Sequence, residues 1–217
     1  LGIDLPSEAK GNIPSVKYFN KIYGEGGWHS STIISLGIGQ GEILVTPLQL
    51  ANVFAAIANN GWYYTPHVVK KIIDPTTQKD VRKKDEKHYT KVSPEWFIPV
   101  REGLFQVVQA GTAVESKVDG IAICGKTGTV QNPHGDNHSL FAGYATKDEP
   151  KIAIAVCVEN AGFGARYAGP IASLMIAKYL NDTISTKRLP KDKLMIGSNL
   201  IYKYFPTPKP KPEATDE

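Results

Sequence analysis

The chain has 217 residues, 41% of them apolar and 21% charged, with a formal net charge of +4. That length holds one domain with a substantial core, and the balance is that of an ordinary globular protein rather than a disordered, fibrous or disulfide-stapled one. The mild positive charge gathers largely in the C-terminal tail and makes no case for nucleic acid, no run approaches the ~20 apolar residues of a membrane span, and two cysteines are too few for a disulfide scaffold. The chain opens on Leu rather than Met and carries no signal peptide, so it is expected to be a piece of something longer.

Residues Leu1 to Ser31 are rich in Gly, Pro, Ser and Lys and read as surface loop with a single turn of helix at most. Within them Ser7-Glu-Ala-Lys10 has the Ser-x-x-Lys spacing of a serine nucleophile with a lysine base. That chemistry needs both side chains on one helical face, and Pro6 before and Gly11-Asn12 after leave at most one exposed turn to present them. A solvated loop is the expectation. The glycines at 37, 39 and 41 lack the full dinucleotide spacing and are expected to serve a tight backbone passage through Ile33 to Thr46.

Thr46 is placed to cap a helix, with Pro47 at its first position and Gln49 three residues after the cap. Leu50, Val53, Phe54, Ile57 and Ala58 follow at helical spacing as its core face, and Asn60-Gly61 stops it. His67 to Ile73 is expected as a strand and Gln78 to Lys87 as a solvated excursion. A second helix starts at Ser93-Pro94, buries Phe97, Val100, Leu104, Val107 and Val108, and closes at Gly111.

The stretch Gly120 to Val130 carries the chemistry. Ile121 to Cys124 is a short apolar run suited to a buried strand, and Gly125-Lys126-Thr127-Gly128-Thr129 continues it with small, polar and cationic residues. Alternation puts Thr127 and Thr129 on one face and Lys126 and Gly128 on the other. Two hydroxyls, a nearby charge and glycines that let a ligand approach the backbone suit a carboxylate or a phosphate. Gly120 to Thr127 also satisfies G-x-x-x-x-G-K-[ST], but a phosphate-cradling loop must curl into a helix at the Lys. The β-branched interior and the Thr-Gly-Thr-Val that follows favour a straight strand.

Gln131 to Asn137 reads as a turn. His134, Asp136 and His138 have metal-competent side chains, but their spacing inside a turn, without a second cluster, makes turn chemistry the expectation; no metal and no cofactor is expected. Ser139–Thr146 and Lys151–Glu159 read as two more strands around a short polar connection, giving with the key strand an antiparallel three-stranded meander over 120–130, 138–146 and 151–159. Arg166 to Leu180 reads as a closing helix with Ile171, Leu174, Met175, Ala177 and Tyr179 available for packing. The domain is expected to span 1–181, and 182–217, with its Pro-Thr-Pro-Lys-Pro-Lys-Pro stretch, to be a flexible or extended tail.

Taken in order, Gly39-Gln40-Gly41, Thr46-Pro47-Leu48-Gln49-Leu50-Ala51, Ala55-Ala56-Ile57-Ala58-Asn59-Asn60-Gly61, Lys126-Thr127-Gly128-Thr129 and His138-Ser-Leu-Phe-Ala-Gly143-Tyr144 closely resemble the C-terminal half of class B penicillin-binding proteins, the elongation-type members above all. Ile152 to Val156 and Ala168-Gly169-Pro170-Ile171 fit the same pattern, and the resemblance runs from about Gly2 to Leu180. It implies an α+β transpeptidase fold of the penicillin-binding/β-lactamase-like kind, an antiparallel sheet flanked by helices, of which this chain is the C-terminal part.

It implies a peptidoglycan D,D-transpeptidase that takes stem peptides through an acyl-serine intermediate and is acylated by β-lactams. Lys126 and Thr129 would be catalytic. Lys126 would support the electrostatics and proton network, Thr127 and Thr129 would bind the terminal carboxylate, Gly128 would leave room for substrate, and the Thr129 N–H would donate to the oxyanion. The parent would be anchored to the cytoplasmic membrane with its catalytic domain on the outer, periplasmic side, and the cell-elongation machinery would be a partner.

One departure is clear: no Ser-x-Asn lies between Ser7 and Lys126, and a segment like Gly2 to Pro6 follows both earlier motifs in the family. The nucleophile is therefore expected in a preceding part of the protein, and this chain alone to be inactive. A β-lactamase or β-lactam sensor domain, and a degenerate non-catalytic domain that binds peptide or scaffolds partners, are the alternative readings.

Overall fold

The computed structural model describes residues 1–83, 85–185, 187 and 189–201. Its helices are α1 (Val16–Tyr23), α2 (Ser30–Gly37), α3 (Pro47–Ala58), α4 (Phe97–Ala110), α5 (Ala168–Asn181) and α6 (Leu189–Gly197). Its strands are β1 (Trp62–Tyr64), β2 (Lys87–Tyr89), β3 (Ile123–Val130), β4 (His138–Ala145) and β5 (Ile152–Val158).

The expected meander forms, in the order β3-β4-β5 with both pairings antiparallel. Lys126 lies opposite Ala142, Thr127 opposite Phe141, Gly128 opposite Leu140 and Thr129 opposite Ser139. Because opposed residues share a face, the sheet sorts its apolar side chains into two cores. On one face Ile123, Phe141, Ala145 and Ile154 pack with Ala168, Ala172 and Ile176 of α5. On the other, Cys124, Ala142 and Tyr144 pack with Phe54 and Ala58 of α3. Helix α4 lies beside β3 and serves both, with Val108 in the first core and Leu104 and Phe105 against the second.

Helix α3 starts as its sequence dictates. The Thr46 hydroxyl accepts from Gln49 N at 3.1 Å and Gln49 Oε1 accepts from Thr46 N at 2.9 Å, a complete capping box behind Pro47. Its buried positions are Phe54, Ala56 and Ala58, whereas Val53 is 52% exposed. Helix α4 is preceded by a 3₁₀ turn, Pro94–Trp96, and the Ser93 side chain makes no capping bond. Phe97 and Val108 are buried in it, and Val100 is exposed. In α5 the small residues Ala168, Gly169, Ala172 and Ser173 face inward beside Leu174 and Ile176, while Met175 and Tyr179 point to solvent.

The first thirty residues carry more helix than expected. Ser15 caps α1 by accepting from Tyr18 N at 3.2 Å, and Phe19 is buried between Tyr23 and Trp28. Helix α2 fills much of the passage before the 39–41 glycines. The strand expected at His67 to Ile73 does not form. Apart from an isolated antiparallel bridge of Ile73 to Asp80, no strand among the described residues offers it a ladder, and carboxylates take three of its N–H groups: Asp4 accepts from Val68 and Val69 at 2.8 and 2.9 Å, and Asp80 from Ile72 at 3.1 Å. The strands in this region are β1 and β2, which pair around the charged excursion. Within the segment expected as a tail from 182 on, α6 folds back so that Lys191 Nζ reaches the Glu115 carbonyl at 2.7 Å. The Pro-rich stretch lies outside the described residues.

Candidate active site

Strand β3 has β4 on one side and, among the described residues, no strand on the other. In an antiparallel pair, alternate residues turn N–H and C=O toward the partner. A Cβ at Gly143 would sit 2.5 Å from the Cys124 carbonyl, and one at Gly125 would sit 2.9 Å from the Ala142 carbonyl. Both carbonyls thus lie between the strands, so Cys124, Lys126 and Gly128 pair with β4. Gly125, Thr127 and Thr129 then turn their N–H and C=O groups to the free edge. The Thr127 carbonyl accepts from Lys126 Nζ at 2.9 Å.

The side chains follow the expected alternation. Thr127 and Thr129 stand half-buried on the face shared with Phe141 and Ser139, and Lys126 is exposed on the opposite face beside Gly128. No ion pair to Lys126 occurs among the described residues, so its charge is available. A Cβ at Gly128 would meet Leu140 Cδ2 at 3.1 Å.

Three supports of this sheet escaped the sequence reading. Thr112, exposed just past α4, places its Oγ1 2.9 Å from Thr127 Oγ1. Buried Ser139 donates to the Phe163 carbonyl at 2.9 Å and accepts from Ala168 N at 3.0 Å, tying β4 to the loop that leads into α5. Arg101 donates from Nε to the Tyr144 hydroxyl at 3.2 Å, from Nη1 to Asn60 Oδ1 at 2.8 Å, and from Nη2 to the Lys147 carbonyl. Burial, together with the neighbouring Cys124, pushes the Tyr144 phenol well above its ordinary range, so it stays protonated. All three contacts join residues at least 15 apart in sequence, where no local pattern signals them.

Ser7 and Lys10 lie exposed in chain without helix; Gln49 Nε2 donates to the Lys10 carbonyl, and Glu8 accepts from Gly2 N. His134 and Asp136 lie in the β3–β4 turn, and His138 opens β4 opposite Val130. His134 N–H donates to Asn132 Oδ1 at 3.0 Å, and His138 Nδ1 accepts from Asn160 N at 3.0 Å. Among the described residues no three metal-competent side chains converge. A cleft of about 420 Å³ at this end of the sheet is lined by Asp136, Asn160, Phe163 and Arg166.

Residues 1–177 match the family described as penicillin binding protein transpeptidase domain. The peptidoglycan D,D-transpeptidase MrdA of Acinetobacter baumannii is 34% identical over 190 residues, covering 78% of this chain and 28% of the relative. The crystal structure of Pseudomonas aeruginosa PBP2 is similar with a TM-score of 0.67 and 31% identity, covering 85% of this chain and 40% of that one. An acyl-enzyme complex of Mycobacterium tuberculosis penicillin-binding protein A with ceftriaxone is similar with a TM-score of 0.61 and 27% identity, covering 68% of this chain and 35% of that one. The chain spans about three-tenths of the length of the curated relatives it matches.

Proposed function

The chain belongs to the penicillin-binding protein transpeptidase family, and from that premise we propose that it forms the C-terminal part of a peptidoglycan D,D-transpeptidase. The observation that carries this reading is strand β3, where a Lys-Thr-Gly-Thr sequence lies on a free sheet edge inside the family match.

In the proposed reaction a serine of the upstream part attacks the carbonyl between the last two D-alanines of a stem peptide. The C–N bond breaks, the terminal D-alanine leaves with a proton on its amine, and the acyl group remains on the serine oxygen. An amine of a neighbouring strand then takes the acyl group and restores the serine. A β-lactam is attacked in the same way, but its leaving nitrogen stays tethered, so the acyl-enzyme persists.

The residues of this chain serve that chemistry without supplying the nucleophile. The Thr129 N–H, turned to the free edge, donates to the developing oxyanion; such a donor contributes on the order of 10²–10³ in rate. The Thr127 and Thr129 hydroxyls, on one face, receive the substrate carboxylate. Lys126 adds positive charge and steadies the proton network of the upstream serine, and Gly128 leaves the strand clear for the peptide. Ile13, Ile34, Ile38 and Leu44 are exposed, and the upstream part of the same protein is proposed to cover them. The parent is proposed to stand on the outer face of the cytoplasmic membrane, anchored by a segment outside this chain and working with the cell-elongation machinery. Among the described residues no helix is long and apolar enough to cross a membrane.

The test is the intact mass of the parent protein, and of this chain alone, after incubation with benzylpenicillin. The parent gains one penicilloyl adduct on a serine outside this chain, and the chain alone gains none. Acylation of this chain at Ser7 overturns the assignment of the nucleophile. A parent that is never acylated is a binding module, and one that turns the drug over rapidly is a β-lactamase.

A further inference from the structure

We infer that Thr112 is a positioning residue for the Thr127 hydroxyl, and through it for the carboxylate of a bound stem peptide or β-lactam. The inference rests on the transpeptidase reading above.

The two hydroxyl oxygens lie 2.9 Å apart, and either can donate. A hydroxyl has one hydrogen and two lone pairs. A carboxylate has no hydrogen to give, so the Thr127 hydroxyl must point its own hydrogen at the ligand. Its oxygen then remains an acceptor, and the Thr112 hydroxyl fills that role by donating. The chain Thr112 O–H to Thr127 O–H to carboxylate runs in one direction, each bond polarising the next. Without Thr112 the Thr127 hydrogen loses the partner that biases it toward the ligand.

The backbone on either side of Thr112 shows a residue held in place rather than a floating loop position. Gly111 N and Ala113 N both donate to the Val107 carbonyl at 3.1 Å, and Val114 N donates to the Gly111 carbonyl at 3.2 Å. Ala113 is fully buried in the core shared by α5 and the sheet. Gly111 must be glycine for this fit, since a Cβ there would lie 2.9 Å from the Val107 carbonyl oxygen. An exposed side chain is thus fixed in the reach of a site hydroxyl on another element.

The test uses the complete parent protein, as wild type and as the T112V and T112S variants. The second-order acylation rate is measured with benzylpenicillin, which carries the carboxylate, and with its methyl ester, which does not. Loss of one hydrogen bond predicts a roughly 3- to 10-fold slower reaction of T112V with benzylpenicillin, no change with the ester, and recovery in T112S. An equal loss with both compounds makes Thr112 a structural tie and overturns the inference, as do equal rates in wild type and T112V. A wild-type protein that benzylpenicillin never acylates sinks the transpeptidase reading itself, and this inference with it.

Discussion

The Phe141 ring occupies the space that a side chain at Gly125 would need. A Cβ built at Gly125 overlaps the ring, and a Cβ at Gly143 across the pair would also press on it, at 3.0 Å. Phe141 is fully buried and opposes Thr127, so the glycine before the Lys-Thr-Gly sequence is fixed by packing beneath the site. Gly125→Ala is expected to destabilise the domain by about 1–3 kcal/mol, as overpacking does. Chemical denaturation at constant m-value reads this directly, and an unchanged midpoint contradicts the account.

Ser139 is fully buried and both donates and accepts. Ser139→Ala leaves Ala168 N–H and the Phe163 carbonyl without that partner, at a cost of about 1–3 kcal/mol. Beyond this loss, amide exchange is expected to speed up at Ala168 and the residues leading into α5 while β3 stays protected. Uniform acceleration across the sheet would count against a local tie.

Arg101 holds the end of α3, strand β4 and the turn after it with one guanidinium. Arg101→Leu is expected to cost about 3 kcal/mol, because three acceptors lose a charged donor. Tyr144→Phe removes one of those bonds and is expected to cost about 1 kcal/mol. The double variant should fall short of the sum of the two, and strict additivity would show that the groups do not act together.

The Asp4 carboxylate accepts the Val68 and Val69 N–H groups, which hold its pKa below the usual aspartate range. A depressed folded-state pKa means the contribution is complete above the unfolded-state value and disappears as pH falls through the folded one. The amide proton shifts of Val68 and Val69 should therefore titrate with a midpoint below about 3.9. Asp4→Asn should abolish that titration. A midpoint at or above the ordinary value would rule out the contact in solution.

What could be read in the sequence was what local chemistry determines. Thr46, Pro47 and Gln49 specify their capping box within four residues. The faces of Lys126, Thr127, Gly128 and Thr129 follow from the period of a strand, and the meander from the short polar connections between apolar runs. His67 to Ile73 misled because its β-branched residues have strand propensity while only tertiary neighbours supply a ladder. Val53 and Val100 kept helical spacing yet lie on the outer faces of their helices, since periodicity identifies a stripe but not its edge. Thr112, Ser139 and Arg101 look like ordinary polar residues until the fold brings their distant partners to them.

The free edge of β3 has a further consequence for handling the polypeptide. Edge N–H and C=O groups that face no strand among the described residues accept any extended chain, including the same strand of a second molecule. Lys126 opposes that pairing, because two copies in register would bring like charges together, and Gly125 and Gly128 deny the second strand side chains to grip. The features that keep the edge open for the proposed peptide substrate are thus also its protection against self-association. Replacing Lys126 with an apolar residue would remove both the charge at the site and the guard against aggregation.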